Sequence, residues 1–286
     1  MRVLTTLLLT IITFSLHAQK VSGKLIFQPG QQLTITTKNT SSNFVNAMGN
    51  EIEMKSESSV DQIVRVTNTT EESHTLSQEL KRIRMTAGGM GEDINFDSDS
   101  EKDMKGAYGS SVKEMMGKKL NLVIDASGNT LMAVAEGGVS KKTEAAAGML
   151  AQFMGEISTM TDAPKQGEAS FFKVLPSTEV GVGDGWTNTI ERNGTKTEEA
   201  YSVASINDAV ILLNFLSNSS TVRVQETMGM EVNISMKNKT EGTITVDRKT
   251  GILKEKNLKT TSTGAVSTGM GEFPINATST MLVTVN

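Results

Sequence analysis

Apolar and polar residues alternate along most of the chain with a period of two, the spacing at which successive strand side chains point to opposite faces. The runs 32–38, 60–67, 81–86, 120–125, 209–216, 221–225, 231–236, 243–247 and 280–285 carry this signal. They predict short antiparallel strands with one wet face. Ala209 to Leu213 is apolar without a break, which predicts a strand buried on both sides. Asp125 with Gly128, and Asp247 with Gly251, each pair an aspartate that can cap its own turn with a glycine free to take positive φ. Both stretches therefore predict hairpins.

One stretch breaks the period. Ala145, Met149, Leu150, Phe153, Met154, Ile157 and Met160 recur at steps of one, three and four, the spacing of a helix face. They predict a helix over about 141–160, with Ser140 as N-cap and Pro164 beyond its end. Its Met/Phe face is expected to lie on a sheet. A second, shorter helix is expected over 111–116, where Ser111 and Glu114 have capping-box spacing.

The regions on either side of the long helix echo one another. Gly30-x-x-Leu33-Thr34 matches Gly183-x-x-Trp186-Thr187, Met90-Gly91 matches Met228-Gly229, and an aspartate-glycine hairpin follows in each. The expected organisation is a leader over 1–18, a β-rich half over 19–139, a central helix and joint over 140–170, and a second β-rich half over 171–286. The fold class is mainly β (α+β): antiparallel sheets, as two related half-barrel-like units, with one central helix packed on a sheet.

Composition narrows the compartment and the chemistry. Arg2, the apolar run Leu7 to Leu16 and small Ala18 read as a secretory signal peptide removed before Gln19, which places the protein in the periplasm or outside a bacterial cell. Interrupted by Thr10, Thr13 and Ser15, the run is shorter than the ~20 apolar residues of a membrane span. The chain has no cysteine, so disulfides, thiolate metal sites and a cysteine nucleophile are excluded. With 28 basic against 32 acidic residues and no basic run, nucleic acid is not an expected partner.

Candidate chemistry is sparse. His74, the only histidine beyond the leader, sits in a polar stretch and reads as a solvated turn residue rather than a general base. Asp97-x-Asp99-x-Glu101 has the alternation of a calcium loop, but Lys102 occupies the position that needs glycine, so a solvated acidic loop from Glu92 to Asp103 is expected. Gly181-x-Gly183-x-Gly185 leads into a strand-like run instead of a helix, so it reads as a turn and not a phosphate cradle. Trp186, the only tryptophan, is expected in the core. The methionines, many in Met-Gly pairs, allow core filling, a soft Cu(I) site or an adaptable apolar cavity. The cavity would be lined by Met149, Phe153, Met154, Met228 and Met230. No catalytic residue and no cofactor is called for. The functions in view are a carrier of an apolar or lipid-like ligand and a structural module that pairs with another envelope protein; an enzyme ranks last.

Three phrases resemble those of an uncharacterised family, a domain of unknown function found in exported bacterial proteins. They are Asp97-Ser98 after a strand, Gly117-Lys118 through Asp125 to Gly128, and Leu175-Pro176 through Val180, Val182-Gly183-Asp184 to Trp186. The resemblance implies an envelope location and a β-rich fold and supplies no catalytic residues.

Overall fold

The computed structural model describes residues 20–47, 50–89, 92–106, 108–136, 163–192, 194–227, 230–269 and 271–286. Twelve strands form one antiparallel sheet. They are β1 (Gln32–Ala47), β2 (Asn50–Thr69), β3 (Ser73–Gly89), β4 (Glu92–Asp97), β5 (Lys119–Asp125), β6 (Thr130–Glu136), β7 (Gly185–Arg192), β8 (Thr195–Ile206), β9 (Val210–Thr227), β10 (Met230–Asp247), β11 (Leu253–Thr268) and β12 (Gly271–Val285). The spatial order is β6-β5-β3-β2-β1-β12-β11-β10-β9-β8-β7, with β4 on β3, and the sheet is not closed. β1 and β12 run together from Ile35 opposite Val285 to Val45 opposite Ile275, so the strands before and after the joint share one sheet.

Several strands are longer than the apolar runs predict. The runs 209–216 and 221–225 are one strand, β9, and 231–236 and 243–247 are one strand, β10. The polar stretches between them stay in the ladder because their hydroxyls and amides bond across strands: Thr240 Oγ1 to Thr260 Oγ1 at 2.9 Å, and Asn238 Nδ2 donating to Ser219 Oγ at 2.9 Å. The start of β9 is not buried on both sides. Ile211 and Leu213 are buried, but Val210 and Leu212, pointing to the other face, are only half-buried and Ala209 is exposed, as expected where one face of an antiparallel sheet is uncovered.

The face carrying the core is called the inner face below. At one end of the sheet it is packed by an N-terminal strap, residues 21–27, and by the segment 170–180. The strap threads between the two halves' hairpins. Leu25 N–H donates to the carbonyl of Ala126 at 2.7 Å, and Ile26 N–H to that of Thr250 at 2.8 Å. Both hairpins form as their residues predict. Asp125 accepts from the backbone of Ser127 and Asn129, Asp247 from that of Lys249 and Thr250, and Gly128 and Gly251 take φ of 86° and 69°. Gly251 is also needed for contact, since a Cβ there would lie 2.4 Å from the carbonyl oxygen of Lys24.

Segment 170–180 is held by residues of the third family-like phrase. Leu175 and Val180 are buried, Pro176 accepts from Gly23 N–H at 2.8 Å, and Val21 and Val180 bond to each other in both directions. Asp184 then caps the turn by accepting from Gly181 N–H at 2.8 Å, and Gly183 takes φ of 88° before β7 begins at Gly185.

Two short helices are described, α1 (Glu101–Met104) and α2 (Gly109–Met116). Val112 and Met115 of α2 pack with Val60, Leu80, Ile83, Met85 and Phe96 into a second core cluster. The Ser111/Glu114 capping box is not used. The helix starts earlier, at Gly109 after Tyr108, where a Cβ would lie 1.9 Å from the carbonyl oxygen of Met104. The helix expected over 141–160 lies outside the described residues. Among the described residues, no helix is long and apolar enough to cross a membrane.

Candidate functional site

Because paired residues in an antiparallel sheet share a face, the register reads directly as rows across the inner face. The row Val60, Thr37, Val283, Lys256, Ile244, Leu213, Val203 is apolar and buried apart from Thr37 and Lys256. One step further from the packed end runs Met281, Leu258, Gly242, Phe215, Tyr201 and Trp186. Next comes a polar row of Ser56, Ser41, Ser279, Thr260, Thr240, Ser217, Glu199 and Asn188. Beyond a second mixed row the face turns apolar again with Ile52, Ile275 and Met236, then Phe273, Val266 and Ile234, all partly buried. The strap, segment 170–180 and α2 all pack with the rows at the other end.

The aromatic part of this surface lies at the β7 edge. Trp186 and Tyr201 stack at 5.2 Å with planes 2° apart, and Phe215 meets Tyr201 edge-on at 5.0 Å. Trp186 is partly buried and packs against the main core from its rim rather than plugging it. The Tyr201 hydroxyl donates to Glu199 Oε2 at 2.9 Å. Burial, and then the neighbouring Glu199 carboxylate, push the Tyr201 phenol far above its ordinary range, so it remains a neutral donor. Lys256 extends over the ring of Phe171, Nζ to centroid 5.3 Å. The residue is partly exposed while its ammonium end is desolvated; burial pushes it below the ordinary lysine range, and Glu199 offsets part of that.

The opposite face offers open polar grooves. One of about 560 Å³ is lined by Lys196, Glu198, Lys237 and Lys239 among serines, asparagines and threonines. Its charges are largely satisfied locally: Lys196 pairs with Glu198 at 2.7 Å and Lys239 with Glu241 at 2.8 Å. This face is a solvated surface.

Of the expected cavity residues, Met149, Phe153, Met154 and Met228 lie outside the described residues. Met230 opens β10, its backbone opposite Thr227. In the sequence, the Met-Gly pairs beginning at Met48, Met90, Met228 and Met270 fall between β1 and β2, β3 and β4, β9 and β10, and β11 and β12. Those four methionines are themselves outside the described residues.

His74 is not a solvated turn residue. It is 4% exposed, with Nε2 3.1 Å from the carbonyl oxygen of Leu25 and Nδ1 2.6 Å from Thr69 Oγ1. The strap covers it, and nothing local in its sequence announces that. The acidic stretch is also more ordered than a solvated loop. Asp97 is clamped by Arg82 through Nε at 3.1 Å and the terminal nitrogen at 2.5 Å, which holds its carboxyl below the usual range; Asp103 accepts from Asp97 N–H, and Ser100 caps α1. Among the described residues, no three acidic or histidine side chains are placed to share a metal ion.

Lys256, Glu199 and Tyr201 escaped the sequence reading. Lys256 stands two residues before buried Leu258, so period-two counting puts it on the inner face; the polar run 254–257 around it hides the signal.

The fold defines a protein of one open antiparallel sheet, packed at one end. The chain belongs to the Family of unknown function (DUF6263), whose model matches residues 71–253. A search of curated proteins finds no match. Among solved structures, the chain is similar to a lipovitellin chain described for its lipid–protein interactions, at 11% identity and a TM-score of 0.47, over 91% of this chain and 26% of that one. It is also similar to an outer membrane channel from Pseudomonas putida F1, at 8% identity and a TM-score of 0.26, over 92% of this chain and 98% of the channel. The chain thus spans about a quarter of the lipovitellin chain, and neither likeness extends to function.

Proposed function

We propose that this is an exported, non-enzymatic binding protein that holds an amphipathic molecule on the inner face of its sheet. The observation supporting this reading is the banding of that face, with an apolar and aromatic row beside the core, then hydroxyl rows, then a further apolar band. A surface that only had to be solvated would carry no half-buried aromatic stack, and one that only had to be filled would carry no hydroxyl lane. Protein purified from its native compartment should release lipid-like material into organic solvent, detected by mass spectrometry in proportion to protein. Solvent extracts indistinguishable from those of an unrelated exported protein would count against it.

A second reading has its own observation. Among the described residues strand β6 ends the sheet; its first residue, Thr130, bonds outward to Gly167 and Glu168, and beyond it Leu131, Met132 and Val134 are 44%, 54% and 46% exposed. An apolar free edge is suited to adding a strand from a partner, as a structural module of the envelope would do. An oligomer or complex lost on Met132→Lys would support that role.

A further inference from the structure

We infer that the inner-face ligand is an anionic lipid, and that Lys256 is the counter-ion for its carboxylate or phosphate head. This rests on the amphiphile reading above and adds the sign and position of the head group. Lys256 is the one charged member of its row: Val283 and Ile244 flank it directly, Leu213 and Val203 lie beyond, and all four are buried. Its ammonium lies against the ring of Phe171, in the segment that closes the packed end, and makes no hydrogen bond or ion pair among the described residues. Lys196 and Lys239, on the opposite face, instead pair with carboxylates two residues along.

An ammonium taken out of water without a carboxylate is costly, and one aromatic face is only a partial substitute. Glu199 is the acidic side chain that senses it, but the carboxylate is beyond ion-pair distance and is engaged by the Tyr201 hydroxyl. The lysine is thus left without a carboxylate partner among the described residues, the place an external oxyanion would take. Burial holds its ammonium below the ordinary lysine range, and an anion at Nζ would restore the charged form.

The next row provides for the rest of the molecule. From Met281 to Trp186 it crosses six strands, about 24 Å at the usual strand spacing of about 4.8 Å. Its apolar members Leu258, Phe215, Tyr201 and Trp186 flank a low point at Gly242, which has no side chain. A single acyl chain laid along that row would keep its head within reach of Lys256.

The test is titration calorimetry of the full chain with dodecanoate, dodecyl phosphate, dodecanol, acetate and inorganic phosphate. Dodecanoate and dodecyl phosphate are expected to bind at least about tenfold more tightly than dodecanol, the worth of one charge-assisted hydrogen bond. Lys256→Met should erase that advantage and leave dodecanol unchanged, whereas Glu199→Gln should tighten the two anionic amphiphiles. If dodecanol binds and the anionic amphiphiles bind parent and Lys256→Met alike, the head-group assignment is overturned while the amphiphile reading stands. If neither dodecanoate nor dodecanol binds, both fall. Acetate or inorganic phosphate binding as tightly as the acyl forms would overturn the lipid source in favour of a free anion.

Discussion

The imidazole of His74 closes on the carbonyl oxygen of Leu25, a residue 49 positions earlier, at 3.1 Å inside the core. With Nε2 donating there, Nδ1 is left to accept from the Thr69 hydroxyl at 2.6 Å, which describes a neutral ring. Burial lowers its pKa, the Leu25 carbonyl offsetting only part. In the unfolded chain histidine titrates at about 6.5, so the unfolded state takes up the proton first as pH falls. The contribution is therefore intact above about pH 6.5 and is lost as pH falls through that value towards the lower folded one. The urea midpoint should drop between about pH 7 and about pH 5, and should drop less in His74→Gln. Equal acid sensitivity of the two proteins would place the titrating group elsewhere.

Gly251 and Gly30 separate contact from strain. Both take positive φ, at 69° and 75°, but a Cβ on Gly251 would run into the strap at Lys24, while one on Gly30 would meet nothing within 4 Å. Gly30→Ala should cost about 1–3 kcal/mol from backbone strain alone, and Gly251→Ala clearly more. Chemical denaturation of the two variants measures the difference. Equal losses would mean that the strap is not anchored at that hairpin.

Removing the charge of Lys256 should not weaken the free protein. Methionine keeps the stem and fills the same space without a desolvated ammonium, so Lys256→Met should melt at or above the parent temperature in lipid-free protein. A large loss of stability would show the ammonium to be a structural partner and not a site.

Export predicts a mass. Protein recovered from the envelope fraction should begin at Gln19, the residue after Ala18, and intact-mass spectrometry distinguishes that from a chain that still carries Met1.

The strand signal was legible where apolar residues alternate with polar ones, and the two aspartate-glycine hairpins could be read residue by residue because their chemistry is local. What escaped was set by distant chain. The hydroxyl-rich middles of β9 and β10 read as breaks, since serine and threonine belong equally to turns and to strands; only facing partners such as Thr260 settle the matter. His74 looked exposed because the strap that buries it lies 49 positions earlier in the chain. Lys256 escaped notice because Lys254, Glu255 and Asn257 surround it in sequence, while in space its row neighbours come from β10 and β12.

The central claim is that an acyl chain lies on the inner face, and Trp186, the only tryptophan, stands in the row concerned. Titrating the protein with dodecanoate brominated along its chain should quench Trp186 emission in a saturable way, at the concentrations where plain dodecanoate binds and competes. Saturable binding of dodecanoate with no quenching of Trp186 would contradict the inner-face site directly.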